Sequence, residues 1–260
     1  MTPELFKLRQ HFQDDGFDIK FVGGYVRDTL LGLTPKDIDF CTDATPDEQA
    51  IVYAKNGIEH IPTGLQHGTW TVVLRGAETG VYEITSLRTE TDHDGRHATV
   101  AWTRDWNEDL SRRDLTFNAM AMSFDGELLD PFNGKSDLEK GRVRFVGNAA
   151  ERMREDFLRI LRFVRFQARF SNGQYDQDAL DAVEDCAPGL ADISRERVWS
   201  EVSRIVSGKQ GPAYLSELIR LGLGPYIDLP NTWAKPGHLS VIRAHEHTKD
   251  PASLMANTNR

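Results

Sequence analysis

Short runs rich in apolar and β-branched residues mark the first half of the chain: Phe21-Val22, Asp37 to Cys41, Thr69 to Leu74, Val81 to Leu87 and Ala119 to Phe124. Turn pairs such as Asn56-Gly57 and Arg75-Gly76 separate them, with helical stretches between. The opening segment MTPELFKLRQHFQDDGF interleaves charged and apolar residues as an amphipathic helix does. Near residue 140 the period changes. Phe157, Leu158, Leu161, Val164 and Phe166 recur at helical spacing, and DQDALDAVEDCAPGL and SRERVWSEVSRIVSG continue the pattern. This predicts an α+β domain over 1–140 followed by an all-helical domain over 141–227. From about Asp228 to Arg260 the chain turns polar, with Pro, Gly and Asn, and reads as a short C-terminal extension, frayed or truncated. No internal repeat is visible.

Composition adds bounds. With 260 residues, 39% of them apolar and 27% charged, the chain has the profile of a globular protein with a real core. No run approaches the ~20 apolar residues of a membrane span, so neither secretion nor membrane insertion is expected. Cys41 and Cys186 lie far apart in sequence and form no metal-ligand spacing, which points to a reducing, cytoplasmic setting. A net charge of -9 argues against coating nucleic acid with the whole surface, though not against a local basic groove.

The stretch GGYVRDTLLGLTPKDIDF, residues 23–40, carries the first candidate chemistry. Side chains alternate along a strand, so on a strand from Asp37 to Cys41 the carboxylates of Asp37 and Asp39 share one face while Ile38 and Phe40 turn into the core. Such a pair repels itself. A divalent cation relieves the repulsion, and oxygen-only ligation suits Mg²⁺. A solvated edge strand with two exposed acids is the plain alternative. Upstream, Val22-Gly23-Gly24 reads as a strand ending in a glycine turn, followed by a helix from about Tyr25 to Gly32. Unpaired N–H groups at that turn, with Arg27 one turn on, form an anion site. A phosphate cradle beside a metal-binding pair outlines a nucleoside triphosphate site.

GGYVRDTLLG followed by DIDFCTDATPDE resembles the first motif of the class II tRNA nucleotidyltransferases (CCA-adding enzymes) and their relatives, the bacterial poly(A) polymerases. The resemblance continues in family order through PTGLQHGTWTVVL, RRDLTFNAMAM, DPFNGKSDLEKGRVRFVG, EDFLRILRFVRF and ISRERVWSEV, over roughly residues 15 to 225. It implies a nucleotidyltransferase (polymerase-β-like) head with a small mixed sheet flanked by helices, then an all-helical neck. PTGLQHGTWTVVL is closer to the CCA-adding version than to the poly(A) version. Family members usually continue well beyond the neck, so the chain is expected to be either a compact version or a fragment.

Site residues follow. A carboxylate beside guanidinium groups accepts from a ribose hydroxyl while the arginines reach phosphate or sugar oxygens; by resemblance Arg113 and Asp114 read the sugar, with Asn118 assisting. Residues three apart on a helix face one way, so Asp156 and Arg159 address one flat ligand. Adenine and cytosine both offer an amino donor next to a ring acceptor, which such a pair takes while refusing guanine and uracil. The resemblance assigns them that role, with Glu155 orienting the arginine and Glu196, Arg197 and Glu201 supporting the helix. Arg162 is a further nucleotide-binding candidate. Two Mg²⁺ ions at Asp37 and Asp39 are implied, and Glu83 in VYEIT is the candidate third carboxylate, an exposed strand glutamate being the alternative. TETDHDGRHATVAW, residues 89–102, resembles a mobile loop that helps switch nucleotide choice; His93 and His97 within it are read as solvated rather than metal-bound. From Arg142 to Arg169 eight arginines face three acids, and Arg152, Arg159, Arg162, Arg165 and Arg169 form a stripe suited to an RNA backbone or, alternatively, to ion pairs bracing the neck. The implied reaction is template-independent addition of C and A to the tRNA 3′ end from CTP and ATP. Poly(A) synthesis, CC- or A-addition alone, and a non-catalytic RNA-binding role are the alternatives. Oligomeric state has no sequence signature.

Overall fold

The computed structural model describes residues 2–76, 79–91, 99–171, 173–208 and 211–229. It divides into two compact units, one ending at Asp137 and the other beginning at Leu138. His93, His97 and the extension from residue 230 lie outside the described residues. Among the described residues no helix is long and apolar enough to cross a membrane.

The first unit opens with helix α1 (Pro3–Asp14), whose Leu5, Leu8 and Phe12 are buried and whose first turn is capped by the Thr2 hydroxyl. There follow β1 (Ile19–Val22), α2 (Gly24–Leu30), β2 (Asp39–Thr42), α3 (Pro46–Lys55), β3 (Glu59–Gly64), β4 (Thr69–Leu74), β5 (Gly80–Ser86), β6 (Arg88–Thr91), β7 (Thr99–Trp102), α4 (Trp106–Ser111), β8 (Ala121–Met122), β9 (Leu128–Leu129) and α5 (Gly134–Glu139). Among the described residues, seven strands form a mixed sheet in the order β3-β4-β5-β2-β1-β8-β9, and β6 and β7 make a separate antiparallel ribbon. Only the β2–β5 pairing within the seven-stranded sheet is parallel. α3 begins in a capping box: the Thr45 hydroxyl accepts from the Glu48 amide and the Glu48 carboxylate accepts from the Thr45 amide.

An aromatic cluster underlies the centre of the sheet. Phe21 on β1 stands opposite Phe40 on β2, their ring centroids 4.8 Å apart, and Phe124 lies 4.7 Å from Phe21 and 5.8 Å from Phe40. One expectation changes here. β2 starts at Asp39, so Asp37 precedes the strand instead of sharing it. Gly23, at φ 60° and ψ −120°, turns the neighbouring β1 chain away, leaving the residues before Asp39 without a ladder partner on that side. β3 carries Pro62 and is mostly exposed, as suits an edge strand, and gave no apolar alternation to read.

The second unit contains α6 (Ala149–Glu155), α7 (Leu158–Phe170), α8 (Gln177–Cys186), α9 (Arg195–Val206) and α10 (Gly211–Arg220). α7 buries Leu158, Ile160, Leu161, Phe163, Val164 and Phe166 and packs against α9, which buries Val198, Val202 and Ile205. The helical pattern through EDFLRILRF is interrupted. Asp156 is extended, at φ −155° and ψ 104°, and ends α6. Its carboxylate accepts from the Leu158 amide at 3.1 Å and so restarts the chain as α7.

Phe40→Ala is expected to cost about 3–5 kcal/mol, read as a lower urea midpoint, because Phe40 is 1% exposed and central to the cluster.

Candidate active site

The glycine turn and the acidic strand converge in the first unit. Asp39 and Glu83 are register partners across the parallel β2–β5 pair, so both carboxylates leave the sheet on one face. The residues after them, Phe40 and Ile84, are register partners too and are buried. Asp37, Asp39 and Glu83 are all exposed. Partial loss of hydration raises the Asp39 carboxyl above the usual range; Glu83 and then Asp37 push it further, while Arg113 pulls it back. Among the described residues no three His, Cys, Asp or Glu side chains close into a ready-made metal cage. These carboxylates are near enough to repel and too open to coordinate alone. An oxygen-only set of this kind fits a hard cation that keeps water and phosphate oxygens as its remaining ligands.

Beside them stands the turn. Gly23 adopts a positive φ that a side chain strains, and Gly24 opens α2 without a side-chain cap on its first turn. A Cβ at Gly23 would lie 3.5 Å from Nη1 of Arg113, and one at Gly24 would lie 3.6 Å from Nη2 of Arg27. Two guanidinium groups therefore border bare backbone. Arg27 is buried and held in place: its Nε donates to Asp28 at 2.8 Å and its Nη1 to Asn118 Oδ1 at 2.8 Å. Asn118 in turn donates to Asp114 Oδ1 at 3.1 Å, which also accepts from the Leu115 amide at 2.7 Å. Arg27, Asn118 and Asp114 thus form one buried network.

Arg113 is held by a carboxylate outside its own Arg112-Arg113-Asp114 motif. Asp109 on α4, fully buried, accepts from Arg113 Nε at 3.2 Å and Nη2 at 3.0 Å through one oxygen, and from Arg112 Nε at 3.0 Å and Nη2 at 2.7 Å through the other. Burial alone would raise the Asp109 carboxyl, but Arg113 and Arg112 outweigh it and hold it below the ordinary value. Arg113 also donates to Cys41 Sγ at 3.3 Å. Burial, then Asp109, push that thiol up to about 11, so at neutral pH it is a protonated, unreactive partner. Sequence reading passed over Asp109. The available signal was its spacing, three and four residues before the two arginines.

In the second unit, Asp156 and Arg159 do not share a face of one helix, because the chain breaks between α6 and α7. Nor do they pair with each other. Asp156 Oδ2 accepts from Arg197 at 2.9 Å, while Arg159 donates to Glu155 at 2.6 Å and to the Arg152 carbonyl at 3.1 Å. The stripe of arginines is partly spent on the protein itself: Arg152 meets Glu155 at 3.1 Å and Arg165 meets the buried Glu201 at 3.0 Å. Arg162 lies half-buried along α7, its guanidinium 6.0 Å from the Phe166 ring centroid. Asp156 retains acceptor capacity after its two bonds, since a carboxylate offers about four lone-pair sites.

Residues 19–144 match the family described as Poly A polymerase head domain, and residues 174–234 match the one described as probable RNA and SrmB-binding site of polymerase A. The mitochondrial CCA tRNA nucleotidyltransferase 1 of Mus musculus is 42% identical over 232 residues, covering 88% of this chain and 53% of the relative. The CCA-adding enzyme of Leuconostoc mesenteroides is 41% identical over 231 residues, covering 88% and 55%. The chain belongs to the CCA-adding enzyme and poly(A) polymerase family. A crystal structure of the Bacillus stearothermophilus CCA-adding enzyme in complex with CTP matches with a TM-score of 0.79 at 35% identity, over 94% of this chain and 58% of that one. This family member spans a little more than half the length of those relatives. Its first unit is a nucleotidyltransferase head with a mixed sheet, and helical structure follows it.

Because Asp39 is raised, its ionisation opposes folding at neutral pH: this contribution to stability is present below the unfolded value and is lost as pH rises through the folded one. In EDTA, Asp39→Asn is therefore expected to melt no lower than wild type. Millimolar Mg²⁺ should raise the melting temperature of the wild type and not that of the variant, as read by differential scanning fluorimetry.

Proposed function

We propose that this chain adds C and A to the 3′ end of tRNA from CTP and ATP without a template, releasing pyrophosphate. The observation that carries the reading is the meeting of the in-register Asp39–Glu83 pair with a glycine turn bordered by Arg27 and Arg113. The names of the mouse and Leuconostoc relatives support the choice of reaction. Asp37 and Asp39, with Glu83 beside them, are the proposed holders of two Mg²⁺ ions, whose chemistry when bound is to acidify the primer 3′-hydroxyl and offset charge on the leaving pyrophosphate. The backbone of Gly23 and Gly24 receives the triphosphate together with Arg27. Arg113 and Asp114 take the sugar, and Asn118 keeps Arg27 and Asp114 aligned. Asp156 accepts from the amino group of the base and Arg159 donates to its ring acceptor, which suits adenine and cytosine; Arg162 assists on α7. The proposed location is the cytoplasm, with mitochondria as the alternative suggested by the name of the mouse relative.

Poly(A) synthesis is the second reading, favoured by the match to the Poly A polymerase head domain. Incubation with Mg²⁺, each labelled NTP in turn and tRNA lacking its 3′ end separates the two. C and then A incorporation supports the proposal, long A-only tails on arbitrary RNA point to poly(A) synthesis, and binding of tRNA without incorporation points to a non-catalytic relative. Asp39→Ala is expected to abolish transfer and leave tRNA affinity nearly unchanged in a filter-binding titration. Asp156→Ala should relax base choice, admitting GTP or UTP with discrimination reduced by roughly 10²-fold or more, read as the ratio of kcat/KM values.

A further inference from the structure

We infer that Asp109 is a positioning residue for nucleotide selection: its buried carboxylate clasps one edge of the Arg113 guanidinium and thereby aims the other end at the Gly23 turn. The inference rests on the reading that Arg113 serves the sugar of a bound ribonucleotide. Its geometry is explicit. Asp109 Oδ2 takes both Nε and Nη2 of Arg113, which commits one edge of the planar group, and Nη1 is the nitrogen that lies against Gly23. An unrestrained arginine loses rotamer freedom when a ligand orders it, and a clasp formed before binding removes that loss from the binding step. Nη2 also touches the Cys41 thiol, which adds a second, uncharged constraint on the same edge.

The other oxygen of Asp109 has separate duties. It accepts from Arg112 and, at 3.3 Å, from the Arg88 amide at the root of the β6–β7 ribbon, while Arg112 Nε donates at 3.0 Å to the Arg88 carbonyl. Asp109→Asn can keep an acceptor oxygen for these partners while replacing the one that faces Arg113 by an amide NH₂. That substitution strikes the clasp and spares the ribbon root.

The test compares CTP with dCTP on the full chain with Mg²⁺, by equilibrium dialysis for affinity and by incorporation into tRNA for KM and kcat, after thermal melts have established that each variant is folded. Asp109→Asn is expected to weaken CTP about tenfold, the size of one lost charge-assisted hydrogen bond, while changing dCTP little and kcat less than KM. The CTP/dCTP preference should therefore collapse. Arg113→Gln is the companion variant, and Asp109→Asn/Arg113→Gln, in which two amides replace the ion pair, strands no charge if the single Asp109 variant fails to fold. Its preference must equal that of Arg113→Gln alone. A preference unchanged in Asp109→Asn, or a further loss in the double variant beyond Arg113→Gln, overturns the inference and leaves Asp109 a fold-stabilising residue. Wild-type protein that binds neither nucleotide, or binds both equally, overturns instead the reading of the site on which the inference stands, and the inference with it.

Discussion

Parallel pairing of β2 with β5 places Asp39 directly beside Glu83, and the sheet cannot separate these like charges without giving up its register. A slip of one residue in either strand would also carry that strand's core residue, Phe40 or Ile84, to the solvent face. Burial of side chains of that size is worth about 1.5–3 kcal/mol each, whereas two exposed charges some 5 Å apart repel by only about 1 kcal/mol in water. The apolar term wins, so the repulsion is held in place by the aromatic core beneath it. Under the proposed reaction that stored repulsion is what a bound cation relieves, which ties the chemistry of the outer face to the packing of the inner one.

The cationic groups of the head are governed by a complementary rule. Arg27 and Arg113 border the glycine turn, and neither is left to find its orientation on ligand binding. Asn118 and Asp28 fix the first, Asp109 the second. A buried carboxylate held by two guanidinium groups is weak evidence for stability, since desolvation cancels much of the attraction. Its value lies in geometry. The second unit repeats the device in Glu155 with Arg159, Arg197 with Asp156, and Arg165 with Glu201. Arginines that looked from their spacing like a continuous basic stripe are in part structural braces, which reduces the positive charge available for a phosphate backbone.

Much of the head was legible in the residues. Alternation and turn chemistry located β1, β4 and β5, and glycine's freedom at positive φ marked Gly23. The change of period put the boundary at residue 140, three residues past the observed division at Asp137. These signals are local: a strand's two faces, a glycine's φ and a helix's buried stripe depend on residues within a few positions of one another.

What the chain could not declare by itself depends on partners distant in sequence. Glu83 becomes the neighbour of Asp39 only through a parallel pairing, and Asp37 leaves the strand because Gly23, on another segment, takes away its ladder partner. Asp156 looked like the start of an uninterrupted helix until its side chain capped the next one and met Arg197, forty-one residues on. Asp109 read as one acid among several in a short helix, and its burial beneath two arginines follows from how α4 meets the sheet and ribbon. Sequence therefore determined which groups are available for the proposed chemistry, because residue type and local geometry are properties of the chain. Tertiary structure decided which charges face one another, because Coulomb and hydrogen-bond energies depend on distances that only the folded arrangement sets.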